Sequence, residues 1–316
     1  MRALLLTAAL LVAACPPPPP ENAFTLRDGA TTIDVVVEPF SWTVKRDDVV
    51  VLRSETTGDG AYGGFTATFD RPSRVDGIVP GWDWYRAGDG EWTHGTAVRV
   101  VERDATHVTV EWNVGTDTAR LTLRASTDRA RIEAAVVDAQ GDAPRGRFNK
   151  TSLSFALPAD EHFFGLGERF GTFDHRGWSM YSWAEEGPLG GGEDVPPGAE
   201  NPYPSGPSMT YFPVPFFLSS QGYALHVDTT RRSELHLGSE NTGAWRAAVN
   251  GTSFALTVYT PPSPVAQLDA FTADTGRPLI PAPWVFGPRR RINSGNLVAD
   301  ADGVDLACRT DGLGHP

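Results

Sequence analysis

The sequence has 316 residues, 40% of them hydrophobic, enough for one large domain or two ordinary ones with a sizeable core. Its 33 glycines, 26 prolines and 9 tryptophans suit a turn-rich, all-β fold better than a helical one. A formal charge of −12, spread along the chain, sets aside nucleic acid and anionic lipid surfaces as partners, and ordinary solubility accounts for it.

At the N-terminus, Arg2 precedes an apolar run from Ala3 to Ala14 that is too short to span a bilayer. Val12-Ala13-Ala14-Cys15 is similar to a bacterial lipobox, which implies a lipoprotein-type signal over residues 1–15 and a lipid on Cys15. An ordinary secretory signal cleaved near the same place is the alternative. Both readings export the protein to the periplasm or cell surface; only the first anchors it to a membrane. Pro16 to Pro20 open a stiff spacer over residues 16–23. There are two cysteines, Cys15 and Cys308, and a lipidated Cys15 cannot join a disulfide, so the domain is expected to rest on its core.

From Phe24 to about Leu157 short β-like runs alternate with turn signals. The predicted strands are 32–37, 48–52, 97–101, 107–112, 119–123 and 131–137, separated by Gly58-Asp59-Gly60, Gly88-Asp89-Gly90 and Gly141-Asp142. Several alternate with the period of two that buries one face, which predicts antiparallel meanders in a large sandwich. A loop is predicted from Arg176 to about Pro207, with strands again at 215–219, 223–228 and 253–259. A helix is signalled at Ser263: Pro264 suits its first position, Val265, Leu268 and Phe271 fall on one face, and Gly276 offers a left-handed stop.

The densest signal is Phe163-Phe164-Gly165-Leu166-Gly167-Glu168-Arg169-Phe170, followed by Phe173-Asp174-His175-Arg176-Gly177. Two glycines let the backbone bend where a Cβ would clash, and an acid and a guanidinium follow at once among aromatic rings. The order resembles the segment that opens the sugar-facing part of the N-terminal sandwich in glycoside hydrolase family 31. Thr275-Gly276-Arg277-Pro278 and Pro281-Ala282-Pro283-Trp284 resemble the family's passage from sandwich to catalytic barrel.

That resemblance implies a galactose-mutarotase-like β-sandwich over residues 24–262, a linker helix and the segment leading into a barrel over 263–287, and α-glycosides as the partner. A retaining glycosidase needs two carboxyl groups about 5–5.5 Å apart. In the family both are barrel aspartates in motifs such as W-x-D-M-N-E, which the sequence lacks. A (β/α)8 barrel takes about 250 residues. Residues 288–316, beginning Pro288-Arg289-Arg290-Arg291, do not read as a barrel strand, so the tail is expected to be frame-shifted or disordered. No catalytic residue is assigned, and hydrolysis is expected of the complete family enzyme rather than of these residues.

For the sugar pocket, the loop Trp178…Tyr181-Ser182-Trp183…Glu186 offers rings to stack on pyranose faces and acids for hydroxyls, and is similar to the sulfoquinovosidase-like branch. Trp183 and Glu186 are its main candidates, with Tyr211 a second contributor. Glu168 and Arg169 read as a buried ion pair bracing the sandwich, with sugar contact as the alternative. Phe163, Phe164, Phe170, Phe216 and Phe217 read as core. No metal and no cofactor are expected: the seven histidines lack ligand spacing, Gly190-Gly191-Gly192 does not follow a strand, and G-x-S-x-G is absent. A stand-alone carbohydrate-binding module is the alternative function. An aldose-epimerase-like sandwich is a third, for which the predicted strands show no gathered cluster of acid and histidines.

Overall fold

The computed structural model describes residues 22–55, 58–71, 73–75, 84–86, 88–169, 171–182, 210 and 212–286. Cys15, the spacer up to residue 21, Trp183, Glu186, Tyr211, Phe170 and the tail beyond Phe286 lie outside the described residues.

The chain opens with an antiparallel meander of β1 (Ala23–Asp28), β2 (Thr31–Val37), β3 (Phe40–Arg46) and β4 (Val49–Arg53). Then come β5 (Phe65–Thr68), the paired β6 (Ser73–Val75) and β7 (Trp84–Arg86), and β8 (Thr93–His94). Consecutive hairpins follow in β9 (Thr96–Arg103), β10 (His107–Val114), β11 (Asp117–Ser126) and β12 (Arg129–Val137). The second half holds β13 (Lys150–Ala156), β14 (Phe163–Gly167), β15 (Ser179–Ser182) and β16 (Pro213–Ser219). It closes with β17 (Tyr223–Asp228), β18 (Ser233–His236), β19 (Ala244–Val249), β20 (Ser253–Tyr259) and helix α1 (Pro264–Thr275).

Two large antiparallel sheets result. One runs β14-β16-β17-β20-β12-β11-β10-β9, the other β15-β18-β19-β13-β5-β8. Period-two patterning drives them: along β11, Ala119, Leu121, Leu123 and Ala125 are buried while Arg120 and Arg124 point to water. Each such large aliphatic side chain contributes about 1.5–3 kcal/mol on full burial. The sheets meet on aromatic rings. Trp245 of β19 stacks on Phe155 with ring centres 4.1 Å apart and meets Phe217 and Phe163 of the opposite sheet at 5.6 and 5.9 Å. The first meander joins the same core through Trp42, edge-on to Phe155 at 5.8 Å.

The predicted strands are all present, most of them longer at one or both ends, but β13, β18 and β19 carry no clear sequence signal. Lys150-Thr151-Ser152-Leu153-Ser154-Phe155 and Ser233-Glu234-Leu235-His236 look like surface text, yet both are almost wholly buried. Part of the predicted loop after Arg176 is also strand: β15 pairs with β18 from Ser179↔His236 to Ser182↔Ser233.

Helix α1 begins as expected, with the Ser263 hydroxyl accepting from the Ala266 N–H. Its buried face differs from the expected one. Val265 and Leu268 are exposed, and the side that packs carries Gln267, Ala270 and Phe271. The reason is specific pairing. The Gln267 amide donates to the Gly222 and Pro261 carbonyls at 3.0 and 2.9 Å, while Phe271 stacks on Phe216 at 4.2 Å. Asp274 adds a hydrogen bond from Tyr259 at 3.0 Å and an ion pair with Arg129. The compact unit ends at Thr275; from Gly276 a separate unit follows, with one 3-10 turn over Pro283–Phe286.

Candidate functional site: the bulged rim and the charged face

Strand β14 does not run straight. Gly165, Leu166 and Gly167 take φ of 118°, 65° and 85°, and the pairing with β16 slips between Gly165 and Gly167. A Cβ on Gly167 would sit 2.1 Å from the Phe212 carbonyl oxygen, so only glycine lets the two backbones approach. Leu166 points into the core, fully buried, and fixes the bulge from beneath.

The residues after the bulge are held by backbone groups. Arg169 donates to the Leu166 carbonyl at 2.8 Å and to the Tyr181 carbonyl at 2.9 Å. Burial lowers its pKa to about 10, which leaves it cationic at neutral pH. His175 is buried and lies 3.0 Å from the Gly165 carbonyl through its Nε2; burial is the main reason its pKa is lowered. Asp174 accepts from the Phe163 and Arg176 N–H groups at 3.3 and 3.0 Å and meets His162 at 2.6 Å. Burial pushes its carboxyl upward, but these hydrogen bonds outweigh it and the pKa is lowered. Glu168 is exposed and tied only by its N–H to the Phe212 carbonyl at 3.0 Å. The expected buried ion pair is therefore not how this pair is built: the carboxylate faces water, while the guanidinium turns inward onto the Leu166 and Tyr181 carbonyls. Phe163, Phe216 and Phe217 are core as expected, whereas Phe164 is half-buried against Phe173, which is 84% exposed.

A second constellation lies on the other face of the six-stranded sheet, where acids and a single histidine, His236, gather with basic side chains. Neighbouring strands pair Tyr181 with Glu234, Glu234 with Ala248, and His236 with Arg246. Their alternate positions therefore share one face. Lys150 reaches Asp89 and Glu234, both at 3.0 Å, and Arg232 donates to the same Glu234 oxygen at 2.8 Å. His236 lies 3.3 Å from Glu234 and 3.0 Å from Glu240, and Arg246 clamps Glu240 with two hydrogen bonds of 2.9 and 3.0 Å. Tyr62 donates to Glu240 at 3.1 Å.

The electrostatics follow from this packing. Burial alone would raise the carboxyl pKa values, but for Glu234 the His236 hydrogen bond and the Lys150 and Arg232 charges win. For Glu240 the bonds from His236 and Arg246 win, and both acids are held well below the ordinary carboxylate range. Burial likewise opposes charge on Lys150, yet Glu234 and Asp89 raise its pKa. Acids pinned this firmly as anions make poor proton acceptors, which is a weak basis for epimerase chemistry. Among the described residues no three His, Cys, Asp or Glu side chains are grouped to hold a metal ion.

A sandwich of an eight- and a six-stranded antiparallel sheet, with a bulged rim at the edge strand, defines the all-β sandwich class that the strand pattern announced. The sequence model described as the glycosyl hydrolase 31 N-terminal galactose mutarotase-like domain matches residues 19–235, and the chain belongs to that family. It is 31% identical over 141 residues to the α-xylosidase XylQ of Lactiplantibacillus pentosus, covering 45% of this chain and 16% of that protein. It is 32% identical over 90 residues to the sulfoquinovosidase of Escherichia coli K12, covering 26% and 13% respectively. Among solved structures, a GH31 family sulfoquinovosidase from E. rectale with an aza-sugar inhibitor superposes with a TM-score of 0.57 at 17% identity. That match covers 75% of this chain and 33% of that one, and it bears on the fold. The matched part thus spans 13–16% of the length of these curated relatives.

Proposed function

We propose that the chain is the sandwich domain of an exported family 31 α-glycosidase, that it forms one wall of a sugar site, and that these 316 residues do not themselves break a glycosidic bond. The observation that carries this reading is the β14 bulge, which lies inside the family-matched residues 19–235 and immediately precedes Glu168 and Arg169 in the chain. Arg169 fixes that turn by tying Leu166 to Tyr181 across the gap from β14 to β15. Trp183, Glu186 and Tyr211 are the proposed pocket residues, together with the exposed Glu168 on the rim. The relatives' substrates suggest α-xylosides or sulfoquinovosides as the sugar class. Neither hydrolytic aspartate motif occurs in the sequence, which supports a non-catalytic wall.

The purified chain should release no 4-nitrophenol from 4-nitrophenyl α-xyloside or α-glucoside; measurable release would overturn the non-catalytic assignment. Titration calorimetry with α-xylosides and sulfoquinovosides tests the wall, and W183A and E186A should weaken any binding about tenfold or more. Equal affinity in both variants would remove those residues from the pocket. Export and lipidation at Cys15 are tested by labelling cells with a fatty acid, since C15A should abolish incorporation.

A second reading, a surface-anchored carbohydrate-binding module, is favoured by Phe173 and Phe212. Both are exposed, at 84% and 67%, on either side of the bulge, where rings can meet a pyranose face. Glycan-array binding that is lost in F173A but kept in W183A would select this reading over the first.

A further inference from the structure

Away from the rim and the charged face, a crevice of about 180 Å³ lies where the first meander meets the sandwich. Protein interiors pack to the density of organic crystals, so a space of this size is unusual in a core. An apolar cavity of about 150 Å³ is enough to admit a benzene ring. Here the walls are aromatic and aliphatic: Trp42 and Phe40 from β3, Phe65 from β5, Trp112 from β10, and Leu121 and Leu153 beneath. The rings are braced against one another, Phe40 edge-on to Trp112 at 4.9 Å and Phe65 parallel to it at 6.4 Å. They cannot simply collapse inward.

The mouth is kept open by missing side chains. Gly63, Gly64 and Gly95 border it; a Cβ on Gly95 would strike the Trp112 side chain at 2.8 Å, and one on Gly63 would press on the His94 ring at 3.2 Å. The polar side chains of the lining are Ser54, Glu55 and Ser154. Ser54 accepts from the Trp42 N–H at 2.9 Å, which leaves its own proton to donate, and Glu55 lies beside it.

We infer that this crevice is a binding site for a single small aromatic ring with a hydrogen-bond acceptor at its edge, a simple phenol being the fitting class. The volume suits one ring. The walls supply edge and face contacts, and the Ser54 hydroxyl supplies one donor. A free sugar fits less well, because hydroxyls on every side of its ring would also face Trp112, Phe65 and Leu121, and each one buried without a partner costs about 1–3 kcal/mol. The site is independent of the proposed sugar wall, since none of its lining residues belongs to the β14 rim.

Calorimetry and ligand-observed NMR with phenol on the full chain test it, with glucose as the second probe. One saturable phenol site and no glucose site are expected. Val98→Trp at the mouth and Leu121→Phe at the floor should each weaken phenol at least tenfold with unchanged circular dichroism, and Leu121→Phe should raise Tm by filling space. The inference is overturned by an absence of saturable phenol binding, by wild-type affinity in both variants, or by glucose competing with phenol. Sugar binding at the rim should be unaltered in both variants, so the failure of one site is readable apart from the other.

Discussion

The rim at β14 and the charged face of the six-stranded sheet share Tyr181, whose carbonyl holds Arg169 and whose ring lies under Arg232 at 5.0 Å, yet they treat polar groups in opposite ways. On the face, charge is buried and answered by charge: Lys150, Glu234 and Arg246 have side chains 2%, 4% and 5% exposed. On the rim, side chains are fixed by main-chain carbonyls and N–H groups, and Glu168, Phe173 and Phe212 are left in the open. Polar groups spent on one another stabilise a sheet; groups left over beside a rigid turn are what a ligand can use. The difference is the ground for reading the face as structural and for proposing the rim as the place of recognition.

The largest expected effect breaks the face. Glu234→Ala strands Lys150 in the core with one of its two acids gone, and should cost about 3–5 kcal/mol in urea unfolding. A loss below about 1 kcal/mol would mean that the network braces nothing.

Gly167→Ala attacks the rim instead. With a Cβ forced against the Phe212 carbonyl and φ at 85°, a loss of about 2–3 kcal/mol is expected. Near-wild-type stability would show that the bulge can relax.

The acid limb probes the face by pH. Glu234 and Glu240 have folded pKa values below the ordinary 4.5, so the unfolded chain binds more protons as pH falls. Their stabilisation is present above about pH 4.5 and is lost as pH drops through the folded values. Glu240→Gln should therefore lower Tm at neutral pH and flatten its decline between pH 4.5 and 2. A parallel decline would exclude Glu240 as a contributor.

Smaller effects sharpen the contrast. Ser263→Ala, which removes the helix cap, should cost about 1 kcal/mol by the same urea assay. Glu168→Ala should stay within about 0.5 kcal/mol, as befits an exposed side chain spared for recognition. A larger loss would return Glu168 to a bracing role.

The strands that alternate cleanly, such as β11 and β12, were legible because one face is apolar and the other wet. β13 and β18 were not, because their second face is polar and buried as well. Lys150-x-Ser152-x-Ser154 and Glu234-x-His236 do keep the period of two, but in charges and hydroxyls, a pattern that apolar alternation overlooks. On helix α1 the spacing of Val265, Leu268 and Phe271 pointed to a face only partly right, because one glutamine with two carbonyl partners outweighs two exposed aliphatics.

By itself the sequence determined the all-β class, the family kinship through the Gly-Leu-Gly-Glu-Arg-Phe run, and the need for glycine at Gly165 and Gly167, because these depend on local sterics and on motif order. Only the tertiary structure decided that Glu168 and Arg169 part company, that Lys150, Glu234, His236, Glu240 and Arg246 converge, and that a ring-lined crevice opens beside Trp112. Those outcomes depend on strands far apart in the chain. A charge or a cavity acquires its meaning only from the neighbours that folding brings to it.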